Sequence, residues 1–389
     1  MLMEPSEIFQ IPLIDSHCHG FLPEKETKDF ETYLTLSMLE IPIEDIRNLF
    51  LYRRIIHELA RILECKPAQT LKKRNELYTK HPVNYIKSLF EDAKIQLLLV
   101  DTGYPFEMTA GYSVDLDTFE KIVPCRLQEI WRYDTAWYPL MSQDVSFQQF
   151  MDLFIDEATK AVKQDEAKAI KSAMAPYYSG LEFTKVTEKE AEKAFRAVHL
   201  RSDLLQILRQ TPQIIKPLMD YLMFSIAGLC GELSVPLQIH VGMGDSPSCD
   251  LRKSNPILMY EFINDEATKK TKLIFTHTGY PYIEEAGFLA NQYPNVYLDI
   301  SEMTPFISFG IRDKLFRLLE MCPTNKLLYG SDGHNIPELF WISALETRYA
   351  LHEVIQHFAT KKVVEDKWLD NIPHQIFADN AKRVYNLDF

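Results

Sequence analysis

Histidine, aspartate and lysine recur at the ends of short apolar runs, in a spacing that suits a metal site. The run Ile14-Asp15-Ser16-His17-Cys18-His19 closes on two histidines two residues apart. On an extended strand, residues i and i+2 share a face, so His17 and His19 can offer two imidazoles to one point. Neutral imidazole suits Zn2+ and related transition metals. Two histidines at this spacing also arise by chance, and alone they decide nothing. Later runs add to them. Leu237-Gln238-Ile239-His240 and Ile274-Phe275-Thr276-His277 each end on histidine, and a further run ends Ser331-Asp332-Gly333-His334. A catalytic metal takes three or four N/O ligands and keeps one position open. His17, His19, His240 and Asp332 meet that count, and His277 is a further ligand or a substrate contact. The competing reading is structural. A lone strand-end histidine is more often a satisfied core residue, and Asp-Gly is also a turn signal. The gathering of five such positions favours the metal.

The elements that must position them read as eight strands. They are Ile11–Asp15, Ile95–Thr102, Ile122–Ile130, Ala167–Ser172, Pro236–Val241, Lys272–His277, Val296–Ser301 and Lys326–Ser331. Most are Leu, Ile and Val runs without clean alternation, as expected of parallel strands buried on both faces. Helical stretches separate them. Ile257–Asn264 follows Asn255-Pro256, Tyr282–Tyr293 follows Tyr280-Pro281, and Arg312–Met321 stops before Cys322-Pro323. Repeated strand–helix units imply right-handed crossovers, and eight of them predict an α/β fold of the (β/α)8 TIM-barrel type. An open Rossmann-like sheet is the alternative, but no GxGxxG follows any strand. In a barrel the carboxyl ends of the strands carry the active site, which is where the candidate ligands fall. Some spacings exceed a simple crossover. Helical insertions are expected after strands 1, 3 and 4, near residues 24–94, 137–166 and 182–232, on one domain spanning 1–389. Glu44–Cys65, Ala68–Leu77 and Glu188–His199 are among the helices within them.

Composition narrows the class. The 389 residues are 46% hydrophobic with 21 scattered prolines, which excludes disordered and collagen-like chains. A net charge of −13 argues against nucleic acid as a partner. The six cysteines form no CxxC pair, so reduced thiols and a cytoplasmic location are expected. No apolar run reaches 18 residues, and Met1 to Gln10 carries Glu4 and Glu7 without a basic stretch. Membrane spanning and secretion are therefore not expected. Association into homo-oligomers is common for barrels, but no residue decides it.

The sequence resembles the metal-dependent amidohydrolase superfamily, in its amidohydrolase-related branch. The paired histidines, the later strand-end histidines and Asp332 carry the likeness over nearly the whole chain. The runs His240-Val-Gly-Met-Gly-Asp245, Asp250-Leu-Arg252-Lys-Ser-Asn-Pro256, Tyr297-Leu-Asp299 and Ser331-Asp332-Gly333 are similar to the amidohydrolase domain of nodulin and glutamine-synthetase-like fusion proteins. Uronate isomerases and decarboxylases share the pattern more distantly. The resemblance implies a (β/α)8 barrel, a divalent metal (usually Zn2+) and a nucleophilic water, with Asp332 as ligand and proton acceptor. It also draws attention to Lys171, in Ala169-Ile170-Lys171-Ser172. This lysine could attract a substrate anion, be carboxylated and bridge a second ion, or snorkel at the rim. In related sequences a Tyr-Arg-Ser-Gly-Leu run follows, whereas here it reads Tyr177-Tyr178-Ser179-Gly180-Leu181, with Tyr178 where arginine is usual.

The expected function is hydrolysis of an amide, lactone or ester in a small, carboxylated substrate. Asp332, His277 and Lys171 would act on it. Arg252 or Arg132 would clamp its carboxylate, and Asp245, Tyr178 and His334 would line the site. An ordinary ion pair is an equally good reading of either arginine. Asp101 and Asp299 could orient the metal histidines or cap loops. A decarboxylase or sugar-acid isomerase on the same ligands is the alternative enzyme. A non-catalytic metal-binding scaffold is the alternative class, but such a chain should have lost ligands, and none of the five is missing.

Overall fold

The computed structural model describes residues 5–26, 28–105, 110–362 and 364–388. Met1 to Glu4, within the stretch read for a leader, lie outside the described residues. Eight parallel strands run in sequence order around one sheet. They are β1 (Leu13–His19), β2 (Ile95–Asp101), β3 (Arg126–Arg132), β4 (Ala169–Ser172), β5 (Leu237–His240), β6 (Leu273–Thr276), β7 (Val296–Asp299) and β8 (Leu327–Leu328). Residues beyond β8 close the ring onto β1. Ser16 N donates to Tyr329 O at 2.9 Å, Asp332 N to His17 O at 2.8 Å, and His19 N to Gly333 O at 2.8 Å. The expected (β/α)8 barrel is the observed fold.

Strand alternation splits the apolar residues into two cores. Leu98, Val100, Ile170, Ile239 and Phe275 face outward against the helices. Leu97, Leu99, Ile130, Ala169, Ile274 and Tyr297 face inward, where Val384 and Tyr385 of the last helix help to plug the floor. Continuing the alternation aims Lys171, His240, Thr276 and Asp299 into the barrel above that floor. β1 needs one more device. Asp15 pairs with Leu98 but Cys18 with Val100, so three residues on β1 span two on β2. This bulge breaks the parity that began with inward-facing Ile14. Cys18 joins the outer core, and His17 and His19 turn inward.

Several boundaries differ from expectation. The third strand starts four residues and ends two residues later than its apolar run suggests. Phe119 and Val123 are buried beside the short helix Leu116–Glu120, and the polar stretch Arg126–Arg132 takes the ladder by pairing with β2. Ile43–Arg47 and Phe50–Ile62 are separate helices, where one from Glu44 to Cys65 was expected. The long helix Pro337–Lys361 follows the last strand.

The first insertion carries helices Pro67–Lys80 and Pro82–Asp92. Arg74 anchors it. Its guanidinium bonds Glu338 at 2.6 and 3.1 Å and Glu26 at 2.6 and 2.9 Å, and the Tyr85 hydroxyl donates to Glu338 at 2.7 Å. This buried cluster ties the insertion to the segments that follow β1 and β8, both of which carry site residues. All six cysteines are free thiols. Among the described residues, no helix is long and apolar enough to cross a membrane.

Candidate metal centre

Three ligand-capable atoms crowd one point at the barrel mouth. Asp332 Oδ1 lies 3.1 Å from His17 Nε2 and 3.2 Å from His19 Nε2. His19 Nδ1 is 3.3 Å from the carbonyl oxygen of Asp101, which can only accept, so the proton sits on Nδ1 and Nε2 keeps its lone pair. Burial, followed by the Lys171 charge, pushes the His17 pKa down to about 3, so that imidazole is neutral. Its Nδ1 has no hydrogen-bond partner among the described residues. Burial alone would raise the Asp332 carboxyl, but His277 and the bonds from His17 and His19 outweigh it and hold it well below the usual range. Two imidazole nitrogens therefore meet a carboxylate inside a buried space. Such a knot calls for a cation between its members, and the donor set fits a divalent ion.

His240 and His277 continue the cluster. His240 Nε2 donates to Met243 O at 2.7 Å, which leaves Nδ1 as its acceptor, 3.1 Å from His277 Nε2. Burial and then Lys171 push His240 down to about 3. His277 Nδ1 lies 3.0 Å from Ser301 Oγ and 3.6 Å from Glu302 Oε2. Ligand-capable atoms fall into three overlapping sets: His17–His19–Asp101, His17–His277–Asp332 and His240–His277–Glu302. The five expected ligands thus share one mouth. His240 approaches through His277 and sits apart from the His17–His19–Asp332 knot. Gly244 makes room there, since a Cβ on it would sit 2.6 Å from Tyr177 Oη and 2.9 Å from His240 Nε2.

Three of the site's residues hold left-handed backbone: His277 at φ 66°, Glu302 at 56° and Asp332 at 54°. Non-glycine residues adopt this region at a cost, which the surrounding bonds must hold. Below the mouth, Ser331 donates to Asp15 and Ser16 to Asp299. Asp299 also accepts from Ser301 N at 2.7 Å and so fixes the hydroxyl that meets His277.

Lys171 is buried on the floor of the site, and its ammonium donates to Thr276 Oγ1 at 2.7 Å, 3.4 Å from His17 Nε2. Burial pushes its pKa down to about 8. Snorkelling at the rim is thereby corrected, because the barrel's inward parity carries the side chain under the histidines.

The expected substrate arginines are not brought to an open position. Arg132 bonds Asp101 with Nε at 3.0 and 3.1 Å and Nη2 at 2.5 Å. Burial would raise Asp101, but Arg132 outweighs it and holds that carboxyl at about 2. Arg252 is 88% exposed and closes on Asp250 at 2.9 Å, its own neighbour on a surface turn. As carboxylate clamps both are corrected, since each guanidinium already holds an aspartate. Tyr178 packs against the outer core and interacts with Tyr138. The tyrosine of that run which reaches the site is Tyr177, its ring 5.4 Å from His240. Asp245 is part-buried at the mouth. His334 lies beside it, its Nδ1 donating to Asp332 O at 2.7 Å.

Sequence reasoning missed Glu302, Tyr104, Tyr177 and Thr276. Glu302 is buried with Oε2 unpartnered among the described residues. Its position three residues past Asp299, at a strand end, was the available signal. Tyr104 lies 5.0 Å from the His19 ring and 6.0 Å from His334.

In metal-free protein, nitrogen NMR of the imidazoles should find His17 and His240 neutral at pH 5, where an unfolded histidine is charged. Each group's contribution to folding is then complete above about pH 6.5 and is lost as pH falls toward 3. Titration of either ring near 6.5 would contradict the burial assigned to it.

A parallel barrel whose mouth gathers histidines and a carboxylate around one point defines a metal-dependent barrel enzyme. The amidohydrolase family model matches residues 150–387, and the chain belongs to the amidohydrolase family. It is 25% identical over 409 residues to Protein fluG of Emericella nidulans, covering 97% of this chain and 46% of that protein. The chain therefore spans about half the length of this curated relative. A protein of Lactobacillus casei ATCC 334, solved as a candidate metal-dependent hydrolase, is 26% identical. It superposes with a TM-score of 0.85 over 99% of this chain and 98% of that one. The uronate isomerase of Thermotoga maritima, 14% identical, shares the fold with a TM-score of 0.66 over 99% and 98% of the two chains.

Proposed function

We propose that the chain is a metal-dependent hydrolase that cleaves an amide, lactone or ester in a small substrate. The observation that carries this reading is the meeting of His17 Nε2, His19 Nε2 and Asp332 Oδ1 at 3.1 and 3.2 Å in a buried space. The similarity to the Lactobacillus casei protein over both chains supports it. His17, His19 and Asp332 would hold the ion, with His277 and His240 adjoining. A bound divalent cation, Zn2+ in the first instance, lowers the pKa of water and polarises a carbonyl.

The chain's own groups supply the rest. Asp332, held as a carboxylate, accepts a proton from the attacking water and returns it to the leaving group. Asp101 orients His19 through its carbonyl, and Arg132 holds Asp101 in place. Ser301, set by Asp299, orients His277. Lys171 places a positive charge beneath the knot. With a neutral amine it could instead take up carbon dioxide as a carbamate, which would provide for a second ion. An intact-mass measurement under native conditions distinguishes these two states.

The direct test is elemental analysis of protein purified without added metal, followed by chelation and reloading. One equivalent of metal, or two if Lys171 is carboxylated, should accompany hydrolysis of a panel of amides, lactones and esters. Chelation should remove both metal and activity, and Zn2+ should restore them. A protein that takes up no divalent ion at any pH would sink the enzyme reading. Release of carbon dioxide or of an isomer instead of a hydrolysis product would reassign the reaction.

A further inference from the structure

The charge at the mouth runs opposite to the sequence-based expectation of an anionic substrate. That expectation rested on three cations, and each is engaged elsewhere. Arg132 is bound to Asp101, Arg252 to Asp250 in solvent, and Lys171 to Thr276 below the histidines. Beside the histidines, acidic and aromatic groups stand around the opening. Asp245 is part-buried, and no described side chain donates a hydrogen bond to its carboxylate. Tyr177 and Tyr104 flank the metal histidines from the His240 side and the His19 side. The Asp245 backbone N–H donates to Tyr177 Oη at 3.3 Å. Asp245 is also the charge that acts most strongly on both tyrosines. Glu302, buried on the Tyr177 side, adds a carboxyl whose Oε2 lies 3.6 Å from His277 Nδ1 and has no hydrogen-bond partner among the described residues.

We infer that this mouth selects a small substrate bearing a protonated amine, with Asp245 as its counter-ion and Tyr104 and Tyr177 as aromatic walls. The inference rests on the hydrolase reading for the bond that is cleaved, but its recognition chemistry stands separately. An ammonium satisfies a carboxylate that otherwise lacks a donor, through a charge-assisted hydrogen bond. A carboxylate at the same place would meet Asp245 without a described arginine free to pair with it, a like-charge contact that rejects it.

The experiment separates recognition from turnover. Zn2+-loaded full-length protein is titrated calorimetrically with three hydroxamates, which share a metal-binding head and differ at the far end. They are β-alanine hydroxamate, the neutral butyrohydroxamate and succinate monohydroxamate. The amine should bind about tenfold or more tighter than the neutral probe, and the carboxylate weaker than both. In Asp245→Asn, with unchanged metal content, the amine's advantage should disappear while the neutral probe keeps its affinity. Three results overturn the inference: a carboxylate probe that binds as tightly as the amine, a preference that survives Asp245→Asn, or an equal loss for all three probes. If the amine preference and its loss are found but no amide, lactone or ester is cleaved, the recognition stands and the hydrolase reading falls.

Discussion

Asp332→Asn should lower kcat/KM by about a thousandfold or more while leaving the barrel folded. The substitution keeps the size of the side chain and removes its charge. That charge does two things: it faces His17 and His19 as the anionic partner of their shared cation, and it accepts the proton from water. Asparagine also tolerates the left-handed backbone that residue 332 adopts, so the φ of 54° costs no more than before. Circular dichroism and urea denaturation should therefore match the parent, and metal content should fall or its affinity weaken. Activity within tenfold of the parent would show that another group takes the proton. His240→Ala is the companion experiment, because the described hydrogen bonds of His240 run to Met243 and His277 rather than to His17, His19 or Asp332. A milder loss there than at Asp332 would fit the observed grouping.

Arg132→Met should be nearly as damaging, for a different reason. Asp101 is fully buried, and its carboxylate meets Arg132 at 2.5 Å. Removing one partner of a buried pair leaves an uncompensated charge, at a cost of ~3–5 kcal/mol of folding stability. Asp101 also orients His19, by its carbonyl at 3.3 Å and its carboxylate at 4.0 Å. Loss of such a support typically weakens metal binding by about 10–100-fold. Urea unfolding reads the first effect and a competition titration with a chelator the second. Combining Arg132→Met with Asp101→Asn should recover much of the stability, because the buried charge is gone, but not the metal affinity. Undiminished affinity in the single variant would reduce Arg132 to an ordinary structural pair.

Much of the site was legible because the barrel's regularities act locally. Parallel strands covered on both faces are written as apolar runs, and a reactive residue at the end of such a run stands out. His240, His277 and Asp332 stood out in that way, whereas Lys171 was singled out by the family resemblance. The arginines were misread because a guanidinium's partner cannot be known from its own position. Arg132 and Asp101 lie on neighbouring strands, 31 residues apart. Tyr177 and Tyr178 are adjacent in the chain, and only the turn after β4 decides which ring faces His240. Glu302 escaped because it lies in an irregular segment beyond β7, in a backbone conformation that no residue preference announces.

The sequence alone determined the eight-strand order, the inserted helices and the residue types of the metal site, since each follows from local pattern. Which way those residues point was decided by tertiary structure. The paired histidines of β1 face inward because a bulge against β2 spends one extra residue and reverses the parity set by Ile14. The same holds for charge. A net −13 and three candidate cations were visible from composition, but whether a cation is free depends on which carboxylate the fold sets beside it. In this barrel Asp101 and Asp250 claim the arginines, Thr276 and the floor claim Lys171, and no described side chain donates a hydrogen bond to Asp245.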